Sequence, residues 1–183
     1  MENETTIIYG PMFAGKTSAL ISFFNQYEDN TQAFKPSTDT RFLGAGFISS
    51  HNQKHIPCQA VNKPIDILRL VDEETALVLI DEVQFFEGDE LKYVVEELKT
   101  GGVNVVMAGV DKDHLGQPFP TVDTLTDFCD NAYRLVGICE VCEQESTHTA
   151  RRHGFPQEGI LIGGTEAYKP LCGHCFSQHL LTL

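Results

Sequence analysis

Gly10-Pro11-Met12-Phe13-Ala14-Gly15-Lys16-Thr17 is the stretch on which the reading of this chain turns. It has the form G-x-x-x-x-G-K-[ST], and its surroundings suit that form. Residues 5–9 are a short β-branched run, and residues 17–27 carry Leu20, Ile21, Phe23, Phe24 and Tyr27 at helical spacing. Strand, glycine-bounded loop and helix therefore follow one another, which is the order a phosphate-binding loop needs. The glycines let the backbone wrap an anion, and successive N–H groups and the helix N-terminus face it. Lys16 neutralises the outer phosphates, and the Thr17 hydroxyl is placed to ligate magnesium.

Outward from that loop the chain alternates. Residues 76–80 and 103–108 are continuous apolar runs of strand length, with an amphipathic helical pattern over residues 89–99 between them. Such alternation predicts an α/β fold with a mostly parallel sheet covered by helices. The run 76–80 ends in Asp81 and Glu82, at the sheet edge where ligands of such folds bind. Adjacent residues of a strand point to opposite faces, so the two acids are expected to do different work. Asp81 is assigned to magnesium or its water shell. Glu82 faces the second substrate, as the base that accepts a hydroxyl proton while the γ-phosphate is attacked. A motor or switch ATPase would use Glu82 to orient water instead; the short length and acidic charge speak against that use.

With 183 residues the chain has room for one packed domain and a small appendage. Thirteen Lys and Arg against 26 Asp and Glu give a net charge of -13, which repels polyanions, so nucleic acid is not an expected partner. No apolar run approaches the roughly 20 residues that span a bilayer. The N-terminal residues show no basic region followed by an apolar one, and a cytoplasmic location is expected. Residues 38–55 are rich in Gly, Ser and Asn and read as a mobile loop.

After residue 138 the pattern changes to a short stretch rich in Gly, His and Cys. The expected division is residues 1–136 for the nucleotide-binding α/β domain and 137–183 for a small metal-held one. Cys139-x-x-Cys142 and Cys172-x-x-Cys175 are spaced so that each pair converges on one ion, and together they predict a closed, structural Zn2+ site. His148, His153, His174 and His179 lie nearby and are left out of the ligand set. The segment between the pairs, anchored at both ends, would form a loop able to close over a ligand. Arg151 and Arg152 add positive charge there, too little for a nucleic-acid surface.

In combination these motifs are specific. GPMFAGKT at 10–17, TDTR at 38–41, IDEVQFF at 80–86, GQPF at 116–119, the two cysteine pairs and IGGTEAYKPLC at 162–172 occur in an order and spacing that resembles the type II thymidine kinases, found in human cytosol and many bacteria, over essentially the whole length. The resemblance implies a RecA-like P-loop domain with a small zinc-binding lasso domain that wraps the nucleoside. It places the proton-accepting glutamate on Glu82. ATP contacts fall on Gly10, Pro11, Met12, Phe13, Ala14, Gly15, Lys16 and Thr17, on Asp39, Thr40 and Arg41, and on Asp81, Glu82, Val83 and Gln84. The nucleoside falls to Phe85, Phe119, Thr149 and Tyr168 and to main-chain groups of Gly159, Ile160, Leu161, Ile162 and Gly163.

The resemblance further implies ATP and thymidine as substrates, Mg2+ with the ATP, a homo-tetramer and inhibition by the end-product triphosphate. Four positions depart from the family's pattern. Ala14 stands for a usual serine, Val83 for glycine or alanine, His114 for a phenylalanine that covers the base, and Leu115 where bacterial members often have arginine. His114 stays on the nucleoside side of the expected site, where an imidazole is able to stack as well. The reaction expected is transfer of the ATP γ-phosphate to the 5′-hydroxyl of thymidine, with Lys16 and Arg41 stabilising charge. A nucleotide-dependent binding module or a DNA-stimulated ATPase would share the phosphate motifs.

Overall fold

The computed structural model describes residues 3–39, 46–50 and 54–183. Thr40 and Arg41, two of the expected ATP contacts, lie outside them. The elements in chain order are β1 (Thr5–Gly10), α1 (Lys16–Gln26), β2 (Thr31–Pro36), β3 (Phe47–Ser49), β4 (His55–Pro57), β5 (Gln59–Val61), α2 (Ile67–Leu70), β6 (Leu77–Ile80), α3 (Gly88–Thr100), β7 (Asn104–Val110), α4 (Pro120–Phe128) and β8 (Asn131–Arg134), followed by β9 (Gly137–Ile138), β10 (Glu145–Ser146), β11 (His148–Arg151), β12 (Tyr168–Leu171) and α5 (Gly173–Leu180).

Six strands form one sheet in the order β5-β2-β6-β7-β1-β8. Every pairing in it is parallel. The α/β expectation is met, and the central strands are buried on both faces, as continuous apolar runs require. Alternate residues feed two cores. Ile7, Val78, Ile80 and Met107 pack with Leu91, Val94 and Val95 of α3 and with Val122 and Leu125 of α4 on one face. Ile8, Leu79, Val106 and Ala108 pack with Leu20, Ile21 and Phe24 of α1 on the other. The loops that leave β1, β6 and β7 at their C-terminal ends thereby meet at one edge of the sheet, between the two helix layers.

Part of the stretch read as a mobile loop has a different character. β3 and β4 form an antiparallel hairpin, and Ile48 and Ile56 sit 2% and 3% exposed in the core beside α1. A three-residue strand among Gly, Ser and Asn carries too little periodicity to be seen in sequence, whereas two buried isoleucines suffice to hold it down.

The segment beyond β8 is built otherwise. β9 pairs with β10 and β11 with β12, both antiparallel, and α5 packs on the second pair. Its core is only Cys139, Ala150, Leu171 and Phe176, with Cys172, Cys175 and Leu180 at the edge. An apolar cluster of that size cannot by itself offset the entropy of ordering such a segment, and other fasteners have to contribute.

Candidate active site

The cradle is set by backbone conformation. Gly10 closes β1 at φ 140°, and a Cβ there would lie 2.2 Å from the Leu135 carbonyl oxygen, so no side chain fits. Phe13 and Gly15 also take positive φ, and Gly15 caps α1 in the left-handed region, which aims the first N–H groups of that helix into the loop. The Lys16 ammonium donates to the Pro11 carbonyl at 2.6 Å, folding the side chain back over the loop. The Thr17 hydroxyl donates to Asp81 Oδ2 at 3.1 Å. A hydroxyl and a carboxylate brought together beside a phosphate cradle are the donor pair a magnesium ion uses, so these residues fit that ion.

A cavity of about 190 Å3 opens over the loop. Met12, Phe13, Gly15, Lys16, Thr17, Asp39, Asp81 and Glu82 line it; Gly10, Pro11, Ala14, Val83 and Gln84 do not. Val83 is fully buried, and a Cβ on neighbouring Gly109 would come within 2.6 Å of it, so its departure from the family pattern is a matter of packing. Lys35 also lines the cavity; it is 1% exposed and lies 3.5 Å from Asp39 Oδ2. No motif singles it out, although a lysine inside an otherwise apolar strand is a signal in itself.

Asp81 and Glu82 do separate in direction, but for a reason other than strand alternation. β6 ends at Ile80, and Glu82 stands at φ 55°, ψ 39°, opening a 3-10 turn. A left-handed residue turns the chain there, so that Glu82 lines the phosphate-side cavity with Asp81 and, unlike Asp81, a second cavity as well. Asp81 Oδ1 accepts the Glu82 N–H at 3.0 Å, which holds that turn. The Gln84 amide donates to Glu82 Oε2 at 2.5 Å, and its own oxygen accepts the Val110 N–H at 3.0 Å. Gln84 thus fixes the Glu82 carboxylate from a buried position.

On the far side of Glu82 lies a larger cavity, of about 400 Å3. Phe85, His114, Phe119, Thr149, Gly159, Ile160, Leu161, Ile162, Gly163 and Tyr168 all line it, from three separate parts of the chain. Glu82, Met12 and Val110 line both cavities and form the wall between them. His114 is 7% exposed, and its Nε2 donates to the Gln157 carbonyl at 2.8 Å, so it ties the loop after β7 to the loop after β11. Thr149 ties the two halves again, its hydroxyl accepting the Met12 N–H of the phosphate loop at 2.9 Å. Arg151, noted from sequence only as added positive charge, is 1% exposed and lines this cavity. Nothing in a run of two arginines distinguishes the buried one.

The four cysteines lie together, with one ligand atom of each within 4.8 Å of every other. Cys142 Sγ and Cys172 Sγ are 3.5 Å apart. Sulfurs about 2.3 Å from a shared zinc at tetrahedral angles would be about 3.8 Å apart, so the set fits the ion. Burial works against ionising Cys139, but the N–H groups of Cys172, Cys142 and Val141 outweigh it and draw the thiol down to about 6. Burial and the three other sulfurs push Cys175 up to about 12. One sulfur ready to carry charge and another that holds its proton until a dication displaces it suit a thiolate site for a metal. His148 stacks on Phe176 at 4.5 Å and His179 bonds the Arg151 carbonyl at 2.8 Å, and neither belongs to the cysteine cluster.

A family model described as thymidine kinase matches residues 3–176. The chain belongs to the thymidine kinase family. It is 34% identical, over 94% of its own length and 87% of the relative's, to a curated thymidine kinase of Onion yellows phytoplasma (strain OY-M). Among solved structures it is similar to the RuvB Holliday junction branch migration motor of Thermotoga maritima, at 12% identity and a TM-score of 0.43. That likeness covers 76% of this chain and 40% of the motor's. Among the described residues no helix is long and apolar enough to cross a membrane.

Proposed function

We propose that this protein transfers the γ-phosphoryl group of ATP to the 5′-hydroxyl of thymidine, giving thymidine monophosphate and ADP. The observation that carries this reading is the position of Glu82 in the wall shared by the two cavities. A group there reaches a nucleoside hydroxyl on one side and the end of a triphosphate on the other. In-line transfer requires little of a protein beyond this placement, a cation set and exclusion of water.

The triphosphate rests on the N–H groups between Gly10 and Thr17, with Lys16 and, outside the described residues, Arg41 neutralising the oxygens that gain charge. Magnesium held by Thr17 and Asp81 would draw charge from the β- and γ-phosphates. Thymidine occupies the larger cavity, its ring between Phe85, Phe119 and Tyr168 and its polar edge on main-chain groups of residues 159–163. Glu82 takes the 5′-hydroxyl proton as that oxygen bonds to phosphorus and the bond to ADP breaks. The Gln84 amide keeps the carboxylate turned toward the hydroxyl. Zinc, closed off by four sulfurs, would act as a structural fastener for residues 137–183, which we read as the unit that closes over the nucleoside. A homo-tetramer in the cytoplasm belongs to the same reading, on the strength of the family.

The test is transfer of label from γ-labelled ATP in the presence of thymidine, deoxycytidine or no nucleoside. Labelled thymidine monophosphate is the expected product. Free phosphate alone would identify an ATPase, and no release of label a binding module; either result overturns the proposal.

A further inference from the structure

Residues 153–163 connect β11 to the stretch before β12 with no helix or strand of their own. Gly154 and Gly159 stand at positive φ, and the N–H groups of residues 159–163 make no hydrogen bond to any described residue. Left to itself such a loop would sample many conformations. His114 holds it at the Gln157 carbonyl, and Arg151 gathers the rest. Arg151 Nη1 donates to the carbonyls of Pro156 at 2.6 Å and Glu158 at 3.3 Å. Nη2 donates to the Gly159 carbonyl at 2.8 Å and to the Tyr168 hydroxyl at 3.1 Å. That hydroxyl donates onward to the Leu161 carbonyl at 2.6 Å. Four carbonyls of a loop six residues long, 156–161, are thus turned toward one centre.

The centre itself is anchored from behind. The Arg151 carbonyl accepts from His179 at the end of α5, and Arg151 is paired with Tyr168 in the β11–β12 ladder. Among the described residues the guanidinium has no carboxylate partner. A buried charge without a counter-ion is stabilised here by the loop's carbonyl dipoles and by the Tyr168 hydroxyl and ring, and it loses the larger share of that stabilisation if the loop swings away. Charge and loop therefore hold each other. A fork of fixed N–H directions does this where a single ammonium cannot.

We infer that Arg151 is a positioning residue for the nucleoside: it sets the shape of the 156–161 loop before the ligand arrives, so that binding does not have to order it. The inference rests on the larger cavity being the nucleoside site, and it adds a residue that the reaction itself does not touch. Loosening the loop lowers the fraction of protein ready to bind and raises the apparent dissociation constant by the same factor, while chemistry at Glu82 proceeds as before once the nucleoside is seated.

Two variants and two readouts test this. Arg151→Lys keeps the charge and loses the fork; Arg151→Ala leaves a space that added guanidinium can enter from the cavity. For Arg151→Lys the KM for thymidine is expected to rise about tenfold or more, the loss of at least one buried charge-assisted hydrogen bond, with kcat within about threefold and the KM for ATP unchanged. Guanidinium at millimolar concentration should lower the thymidine KM of Arg151→Ala and not that of the unaltered protein. In both variants, without ligand, chymotrypsin should cut after Leu161 faster than in the unaltered protein while zinc content holds. An unchanged thymidine KM with unchanged cleavage overturns the inference. So does a loss of kcat and of both affinities together that guanidinium does not relieve, the mark of a purely structural arginine. If the unaltered protein does not phosphorylate thymidine, the proposed function falls, and the cleavage rates alone decide whether Arg151 holds the loop.

Discussion

The two cavities that meet at Glu82 are walled by segments made in opposite ways. The phosphate loop owes its shape to its own backbone, through positive φ at Gly10, Phe13 and Gly15 between a buried strand and a helix. The loop over the larger cavity owes its shape to groups outside it, a buried guanidinium, a tyrosine hydroxyl and His114 from the core. A local device tolerates almost no change at the positions whose φ sets its shape. A device held from outside tolerates change within itself and fails when its fasteners go.

The same substitution in each segment should therefore differ widely in effect. Gly10→Ala forces a Cβ within 2.2 Å of a backbone oxygen at a φ that only glycine takes readily, and ATP affinity should drop by about a hundredfold or more, since relief means moving the strand end. Titration with a non-hydrolysable ATP analogue checks it. Next in size is removal of a distant fastener. Cys139→Ser takes one of four sulfurs from a segment whose apolar core is four side chains, and zinc retention and thymidine turnover should fall at least about tenfold, with ATP analogue binding reduced much less. Equal loss at both sites would show that the two segments stand or fall together.

Acid should separate them again. Lys99, and then the Thr5 N–H and hydroxyl, hold Asp130 down to about 2, so its contribution to the main sheet is complete above about pH 3.9 and is lost only as pH falls toward 2. Burial lowers the pKa of both His148 and His179 in the cysteine-rich segment. Below about pH 6.5 the unfolded segment binds more protons than the folded one, so its stability drops first. Between pH 7.5 and pH 5.5, chymotryptic cleavage within residues 153–163 should rise while the thermal unfolding of the sheet stays in place; a single transition at one pH would contradict this. The smallest effect is expected of Gly159→Ala. That residue also has positive φ, 68°, but its Cβ would meet nothing within 4 Å, and the thymidine KM should change by about fivefold, the lower end of the left-handed cost of one alanine.

The same contrast explains what can be read from sequence. The parallel sheet, through three of its six strands, the phosphate loop and the pairing of Thr17 with Asp81 are legible because each follows from periodicity or from a motif of recognisable form. The cysteine pairs are legible because metal geometry dictates their spacing. Glu82 is legible for an incomplete reason, since its direction comes from a left-handed turn that no side-chain pattern announces. Arg151 and Lys35 escape because burial of a charge depends on partners brought from elsewhere, Pro156 and Gly159 in one case and Asp39 in the other. Ile48 is hidden for a similar reason, as it becomes core only once α1 lies beside it.

The proposed chemistry depends most on the carboxylate between the two cavities. Glu82→Gln keeps the side chain's size and leaves the cradle untouched, so ATP analogue and thymidine should bind within a few fold of their usual affinities. With both bound, transfer of labelled γ-phosphate to thymidine should fall by about a hundredfold to ten-thousandfold, the range that a positioned base supplies. Turnover at the unaltered rate, with both ligands seated, would place the proton on another group and contradict the role of Glu82 as base.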